Sequence, residues 1–134
     1  MNEKIISRQH ETTTLEELEG KLCSEFLVVY DAKLKKYGCC YMNVEGVFHR
    51  FYLDAGLLFW RSHRSPDPEN DLGEGDCYVD FGKKFKVAGI NVVNISMGNC
   101  RLDIRFENGV EILLKNEVQG IGAELGVSAE DDLK

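Results

Sequence analysis

Three sets of side chains in this sequence are spaced so that they could do chemistry. The first is Tyr41, Arg50, Tyr52 and Trp60, spread over consecutive stretches that alternate apolar and polar residues. Gathered on one sheet face, they form the kind of aromatic and arginine patch that dominates protein-binding hot spots, because such groups bury large rigid area and keep a polar handle. Arg50 over Trp60 would then be a cross-strand cation–π pair worth about 0.5–1 kcal/mol if exposed. The competing expectation is that another layer covers this face and it is core. The second set is acidic: Asp67, Glu69, Asp71, Glu74 and Asp76, five acids against Arg61 and Arg64 within residues 61–76. Asp67, Glu69 and Asp71 alternate as calcium-loop ligands do, but Leu72 stands where that loop needs glycine and Tyr78 where it needs a bidentate glutamate. A solvated or partner-contacting loop is the expectation, with no cation. The third set, His10, His49 and His63, is too scattered for a ligand set. His49 and His63 could approach each other beside Arg61 and Arg64 as a nuclease-like pair, yet the acids that follow oppose a phosphate.

Nothing else in the chain carries a catalytic signature. It contains no Gly-x-Ser-x-Gly, His-Glu-x-x-His, phosphate-binding loop or dinucleotide-binding glycine pattern. The five cysteines, Cys23, Cys39, Cys40, Cys77 and Cys100, are odd in number and lack Cys-x-x-Cys spacing, as expected for reduced thiols in a cytoplasmic protein. Cys39 and Cys40 are neighbours and point to opposite faces of a strand, so they cannot chelate one ion together. The expectation is a protein without enzymatic activity, metal or cofactor.

The elements that must position these groups are mostly strands. The firmest run from Asn91 to Lys115, where apolar and polar residues alternate and break only at Gly98-Asn99 and Glu107-Asn108-Gly109. A turn at Gly98-Asn99 pairs Met97 with Cys100, Ile95 with Leu102 and Val93 with Ile104. At the second break, a two-residue Asn108-Gly109 loop would mix apolar and charged residues on one face. A three-residue loop with Gly109 left-handed pairs Phe106 with Val110, Ile104 with Ile112 and Leu102 with Leu114, and sets Arg105 against Glu111. One register slip moves every side chain to the wrong face, so the pattern selects the longer loop. The buried face is then Val93, Ile95, Met97, Cys100, Leu102, Ile104, Phe106, Val110, Ile112 and Leu114.

Upstream, Thr14-Leu-Glu-Glu17 is a capping box, and Leu15, Leu18 and Leu22 follow at helical spacing, which predicts a short helix from Leu15 to Cys23 with its leucines toward the core. Phe26 to Tyr30 reads as a strand. Residues 37–62 read as three strands. Glu45-Gly46 turns the first pair (Val44 opposite Val47, Met42 opposite His49, Cys40 opposite Phe51, Tyr41 beside Arg50). Asp54-Ala55-Gly56 turns the second (Leu53 opposite Leu57, Phe51 opposite Phe59, His49 opposite Arg61), which sets Arg50 beside Trp60 and Tyr52 beside Leu58. Both prolines fall in the acidic loop and exclude an interior strand there. Cys77 to Phe81 is a further short strand, and residues 82–89 are a lysine-rich link of undecided structure.

These elements predict one α+β domain, dominated by an antiparallel sheet of about six to eight strands in meander and hairpin connections, curved or sandwich-like, with one short N-terminal helix. Residues 1–13 read as an N-terminal extension and 117–134 as a flexible acidic tail. At 134 residues the chain is long enough for a core without staples, and 43% hydrophobic residues suit a turn-rich globular protein. No stretch approaches the roughly 18–20 apolar residues of a membrane helix, and the N-terminus lacks an apolar secretory segment. A net charge of −7 argues against nucleic-acid binding and is compatible with a basic protein partner.

The short capped helix, curved sheet, acidic mid-chain loop and the hairpin Arg-Leu-Asp-Ile-Arg-Phe-Glu-Asn-Gly-Val-Glu-Ile-Leu-Leu (101–114) together resemble small bacterial immunity proteins of polymorphic or contact-dependent toxin systems. The resemblance implies a cytoplasmic, non-enzymatic protein that blocks a cognate, often basic, toxin domain, with Asp67, Glu69, Asp71, Glu74 and Asp76 able to mimic a phosphate backbone. Two other expectations compete. One is a small-ligand domain with a pocket between helix and sheet lined by Phe48, Tyr52, Phe59 and Trp60. The other is a homodimer paired through an exposed strand edge.

Overall fold

The computed structural model describes residues 5–8, 13–33, 36–54, 57–98, 101–116 and 125–130. Eight antiparallel strands correspond to those legible in the sequence: β3 (Leu22–Asp31), β4 (Lys36–Val44), β5 (Val47–Asp54), β6 (Leu57–Ser62), β7 (Asp76–Asp80), β8 (Ile90–Gly98), β9 (Arg101–Phe106) and β10 (Glu111–Asn116). Three more come from segments without a clear alternation: β1 (Ile5–Arg8) on β6, β2 (Thr13–Thr14) on β8, and β11 (Leu125–Glu130) on β10. The expected extension and acidic tail therefore each contribute a strand; residues 117–124 and 131–134 lie outside the described residues. No described helix is long and apolar enough to cross a membrane.

The strands join in the order β1-β6-β5-β4-β11-β10-β9-β8-β3-β7, with β3 also bonded to β4. That last pairing folds the sheet back on itself. β4 gives one edge to β3 and divides the other between β5 and, at Tyr37, β11. β3 likewise divides its second edge between β7 and, at Leu22 and Cys23, β8. The result is two curved layers that share strands at the corners, as a twisted sheet does when it closes on a core. Phe26, Val28, Cys40, Met42, Phe51 and Trp60 face Val92, Ile95, Met97, Leu102, Ile104, Phe106, Ile112 and Leu114 across one continuous apolar cluster.

The second turn of the C-terminal meander follows the expected register. Ile104 pairs with Ile112, Leu102 with Leu114 and Arg105 with Glu111. Phe106 N–H donates to the Val110 carbonyl at 2.8 Å, and Gly109 adopts φ 91°. The first turn differs. Met97 pairs with Leu102 and Ile95 with Ile104, two residues away from the expected register, which leaves each side chain on its predicted face. Asn99 and Cys100 lie outside the described residues. A bulge between Val92 and Asn94 then reverses the alternation, so that Val92 is buried and Val93 is 48% exposed, contrary to expectation.

The cause of that bulge lies in residues 13–20, where a helix was expected. Thr14 is not a helix cap: it pairs with Ser96 in β8. Leu15 N–H donates to the Ile95 carbonyl at 2.8 Å and Gly20 N–H to the Val92 carbonyl at 2.6 Å, so the backbone spends its donors on the free edge of β8. A single 3-10 turn, Glu16–Leu18, is all that remains of the helix. Glu19 Oε2 accepts from Asn94 Nδ2 at 2.8 Å and fixes the bulge. Leu15 and Leu18 still reach the core, at 4% and 3% exposure, while Leu22 opens β3 and is exposed. An unsatisfied sheet edge outcompetes a short helix, whose nucleation is unfavourable and whose middle would carry Gly20.

One further departure changes the site. Glu45 (φ 49°) and Gly46 (φ 87°) make the first hairpin as expected, with Val44 opposite Val47, Met42 opposite His49, Cys40 opposite Phe51 and Tyr41 opposite Arg50. In the second hairpin Asp54 pairs with Leu57, which leaves two residues rather than three in the loop. Phe51 now faces Trp60, Tyr52 faces Phe59, Arg50 faces Arg61 and His49 faces Ser62. The slip of one residue exchanges the two faces of β6 and carries Trp60 into the core. Fully burying the largest side chain of the chain, worth about 2–3 kcal/mol, outweighs the adjacency of two arginines on the wetter face.

Candidate functional site

The outer face of β3, β4, β5 and β7 carries a second, smaller apolar cluster: Val29, Cys39 and Tyr41, with Phe48, Tyr52, Leu72 and Tyr78 against it. The acidic loop lies over part of it. Ser62 ends β6, the Arg64 amide donates to the Phe48 carbonyl at 3.1 Å, and the chain returns through a helical turn, α1 (Pro68–Asp71), before β7. Pro68 stands in the first turn, where its missing N–H costs nothing. Among the described residues no three histidine, cysteine or acidic side chains converge as metal ligands do.

Asp71 holds the loop down. Its Oδ1 accepts from Tyr41 Oη at 2.8 Å, and its Oδ2 accepts from Tyr78 Oη at 2.6 Å and from the Asp67 amide at 2.9 Å. Burial, and then the hydrogen bond to Asp71, hold both phenols above the ordinary tyrosine range, so both remain donors. Hydrogen bonds to a carboxylate are the strong ones, and losing an acceptor for a buried hydroxyl costs more than the bond itself. Asp71→Ala should loosen residues 63–76 by about 1.5–3 kcal/mol of local stability while leaving the main core intact. Hydrogen exchange read at the Asp67 amide checks this, and unchanged protection there would sink the bracing role.

The nine side chains expected to form a partner surface divide into three groups. Tyr41, Arg50, Asp67 and Asp71 come together around one cleft of about 350 Å³, with His63, Arg64, Ser65 and Asn70 completing its wall. Tyr52 sits under Arg50, whose guanidinium carbon is 4.3 Å from that ring centre and 5.9 Å from the Tyr41 ring. Trp60 is not on this face at all: it is fully buried and donates from Nε1 to His49 Nδ1 at 2.9 Å. The expected Arg50–Trp60 contact is replaced by Arg50–Tyr52, and Phe59 takes the place of Trp60 by stacking on Tyr52 at 5.3 Å. Tyr41 is only 2% exposed, so it serves as floor under the loop and not as a contact surface. Glu69 and Glu74 are exposed on the loop outside the cleft, and half-buried Asp76 accepts from the Gly73 amide at 2.8 Å. The expected ligand pocket of Phe48, Tyr52, Phe59 and Trp60 does not form, because β6 turns Trp60 away from the other three.

Burial pushes the Cys23 thiol up to about 12 and raises Cys39 and Cys40 as well, so these thiols stay protonated and are not nucleophiles. His49 and His63 do approach, both lining a groove of about 250 Å³ with Glu17, Lys21 and Ser62. His49 is 6% exposed, and its Nδ1 accepts from Trp60, which makes it a neutral core partner of the indole. His63 adopts φ 61°, a strained conformation that swings the chain from β6 into the loop. His10 lies outside the described residues.

Sequence reasoning missed Tyr78, Asn70, Ser65 and the double role of His63. Pro68 directly after Asp67 was the available signal, since it marks a helical first turn and places Asp71 one turn from Asp67. Compared with protein-family models, curated proteins and solved structures, the chain matches none.

Proposed function

We propose that this chain is a non-enzymatic, cytoplasmic protein-binding protein that presents a braced acidic loop to a basic partner, in the manner of an immunity protein occupying a toxin domain. The observation that carries the reading is Asp71 tied by Tyr41, Tyr78 and the Asp67 amide. That brace fixes the loop before any partner arrives and leaves Asp67, Glu69 and Glu74 exposed. A loop ordered in advance does not lose its own freedom on binding, and exposed carboxylates on a chain of net charge −7 steer a basic surface toward it. The aromatic residues support the loop from below and make no contact of their own with the partner.

The reading expects a basic toxin domain encoded beside this chain, and that domain is the probe. Stopped-flow association with that domain should slow as salt rises, and the triple variant Asp67→Lys, Glu69→Lys, Glu74→Lys should associate about tenfold more slowly or worse. Association that ignores both salt and the triple substitution would remove the acidic loop from the interface. A neighbouring gene for a metabolic enzyme would remove the immunity role.

A further inference from the structure

The cleft beneath the loop holds an arginine, Arg50, that feels the charge of Asp71 but forms no ion pair with a carboxylate among the described residues. Arg50 is half-buried on β5, its guanidinium resting against Tyr52 and Tyr41. Its Nε is buried without a hydrogen-bond partner. The acid nearest in the cleft wall, Asp71, spends both oxygens on Tyr41, Tyr78 and the Asp67 amide. Asp67 Oδ2 accepts from Asn70 Nδ2. Among the described residues no carboxylate stands at ion-pair distance from Arg50. A buried, unsatisfied arginine donor is rare in a folded protein and calls for an acceptor that the chain itself does not supply. Its stacking on Tyr52 fixes the plane of the fork, as in sites that read planar two-oxygen anions.

We infer that this cleft binds a carboxylate, carried by a small polar molecule or by the end of a peptide, with Arg50 as the fork that receives it. Arg64 stands in the wall and adds positive character, while His63, Ser65 and Asn70 offer polar groups to whatever the carboxylate carries. The two aspartates of the same wall weigh against higher charge: beside Asp67 and Asp71 a phosphate dianion is repelled more strongly than a monocarboxylate. About 350 Å³ is the lower end of the size range for small-molecule sites and fits a ligand of amino-acid dimensions. Binding here restrains the loop from below, so it is independent of whether the loop's outward face meets a protein.

The experiment is a nuclear magnetic resonance titration of the full chain, read at the Arg50 Nε–H and the His63 ring. The probes are sodium acetate, sodium benzoate, inorganic phosphate, sodium chloride, and one short peptide with either a free or an amidated C-terminus. The inference expects saturable shifts at both residues with carboxylates, and none with chloride beyond ionic-strength drift. Saturation by acetate or benzoate assigns a small-molecule ligand; saturation by the free-ended peptide alone assigns a chain terminus. Arg50→Lys should weaken binding about tenfold or more, because the ammonium cannot make the paired contact. Asn70→Ala, on the exposed turn, should weaken it a few-fold with folding unaffected, on the order of one lost hydrogen bond. Wild-type protein that shows no saturable shift, binds the amidated peptide equally, or prefers phosphate overturns the assignment, whatever the fate of the Arg50 variant.

Discussion

Trp60→Ala unfolds more easily than the wild type by about 3–5 kcal/mol, the largest loss expected of any single truncation in this chain. Trp60 is fully buried opposite Phe51, within the cluster that includes Phe26, Met42 and Ile104. Removing it forfeits the burial of the indole, leaves a cavity, and orphans His49 Nδ1, whose donor is Trp60 Nε1 at 2.9 Å. Phe59→Ala, next door on the outer face, should cost nearer 1 kcal/mol, since Phe59 is half-buried and keeps one stacking partner, Tyr52. The two variants measure the register of the β5–β6 hairpin directly. With a three-residue turn the order of effects reverses, because Trp60 then lies outside and Phe59 inside. Urea unfolding followed by far-ultraviolet circular dichroism gives both numbers; equal losses, or a larger loss at Phe59, would refute the two-residue turn.

Stability should also fall in mild acid, and His49 is the reason. Burial lowers its pKa from the ordinary 6.5 to about 4, with His63 and Lys21 adding repulsion and Glu17 opposing it. Between these values the unfolded chain binds a proton that the folded chain refuses, so acid favours unfolding. The contribution of neutral His49 is fully present above about pH 6.5 and is lost progressively as pH falls toward 4, with no further loss from this residue below that. Its size is on the order of 2–3 kcal/mol, allowing for the groove that lets water near the ring. Protonation at Nδ1 also removes the acceptor of the Trp60 hydrogen bond, which couples the titration to the core. Carboxylates titrate in the lower part of the same window, so the comparison is with His49→Gln, which keeps a hydrogen-bond acceptor and has no proton to gain. The variant should show a flatter stability profile from pH 6.5 to pH 4. Parallel profiles for the two proteins would mean that His49 takes up its proton in place.

Strand alternation made much of the fold legible. Leu102, Ile104, Phe106, Val110, Ile112 and Leu114 are buried as their spacing requires, because a half-buried strand must keep one face dry. Gly109 in the left-handed region follows from that requirement once only one loop length keeps charge off the core face. The misreadings share a cause. Val93, the supposed helix after Thr14, and the β6 register each turn on competition for a partner far away in sequence. Segment 13–20 reads as helical by itself and becomes sheet-like because β8 has an open edge. The Ala55–Gly56 region accepts either turn length locally, and the choice falls to whether Trp60 or Phe59 fills the space facing Phe51.

The candidate site shows the same division. Tyr41, Arg50, Asp67 and Asp71 were legible as groups able to bind something, since aromatic, arginine and acid side chains announce themselves by type. Their roles were not. Which carboxylate is spent on phenols and which faces water depends on Tyr78 arriving from β7, on Leu72 settling over Cys39 and Tyr41, and on the turn that follows Pro68. By itself the sequence determined the alternating faces, the tight turns, the acidic balance and the want of a catalytic motif, because these follow from side-chain type and near-neighbour spacing. Only the tertiary structure decided that Trp60 belongs to the core, that Asp71 braces the loop, and that Arg50 lines a cleft without an ion pair to the acids beside it, because each depends on which distant strand lies alongside.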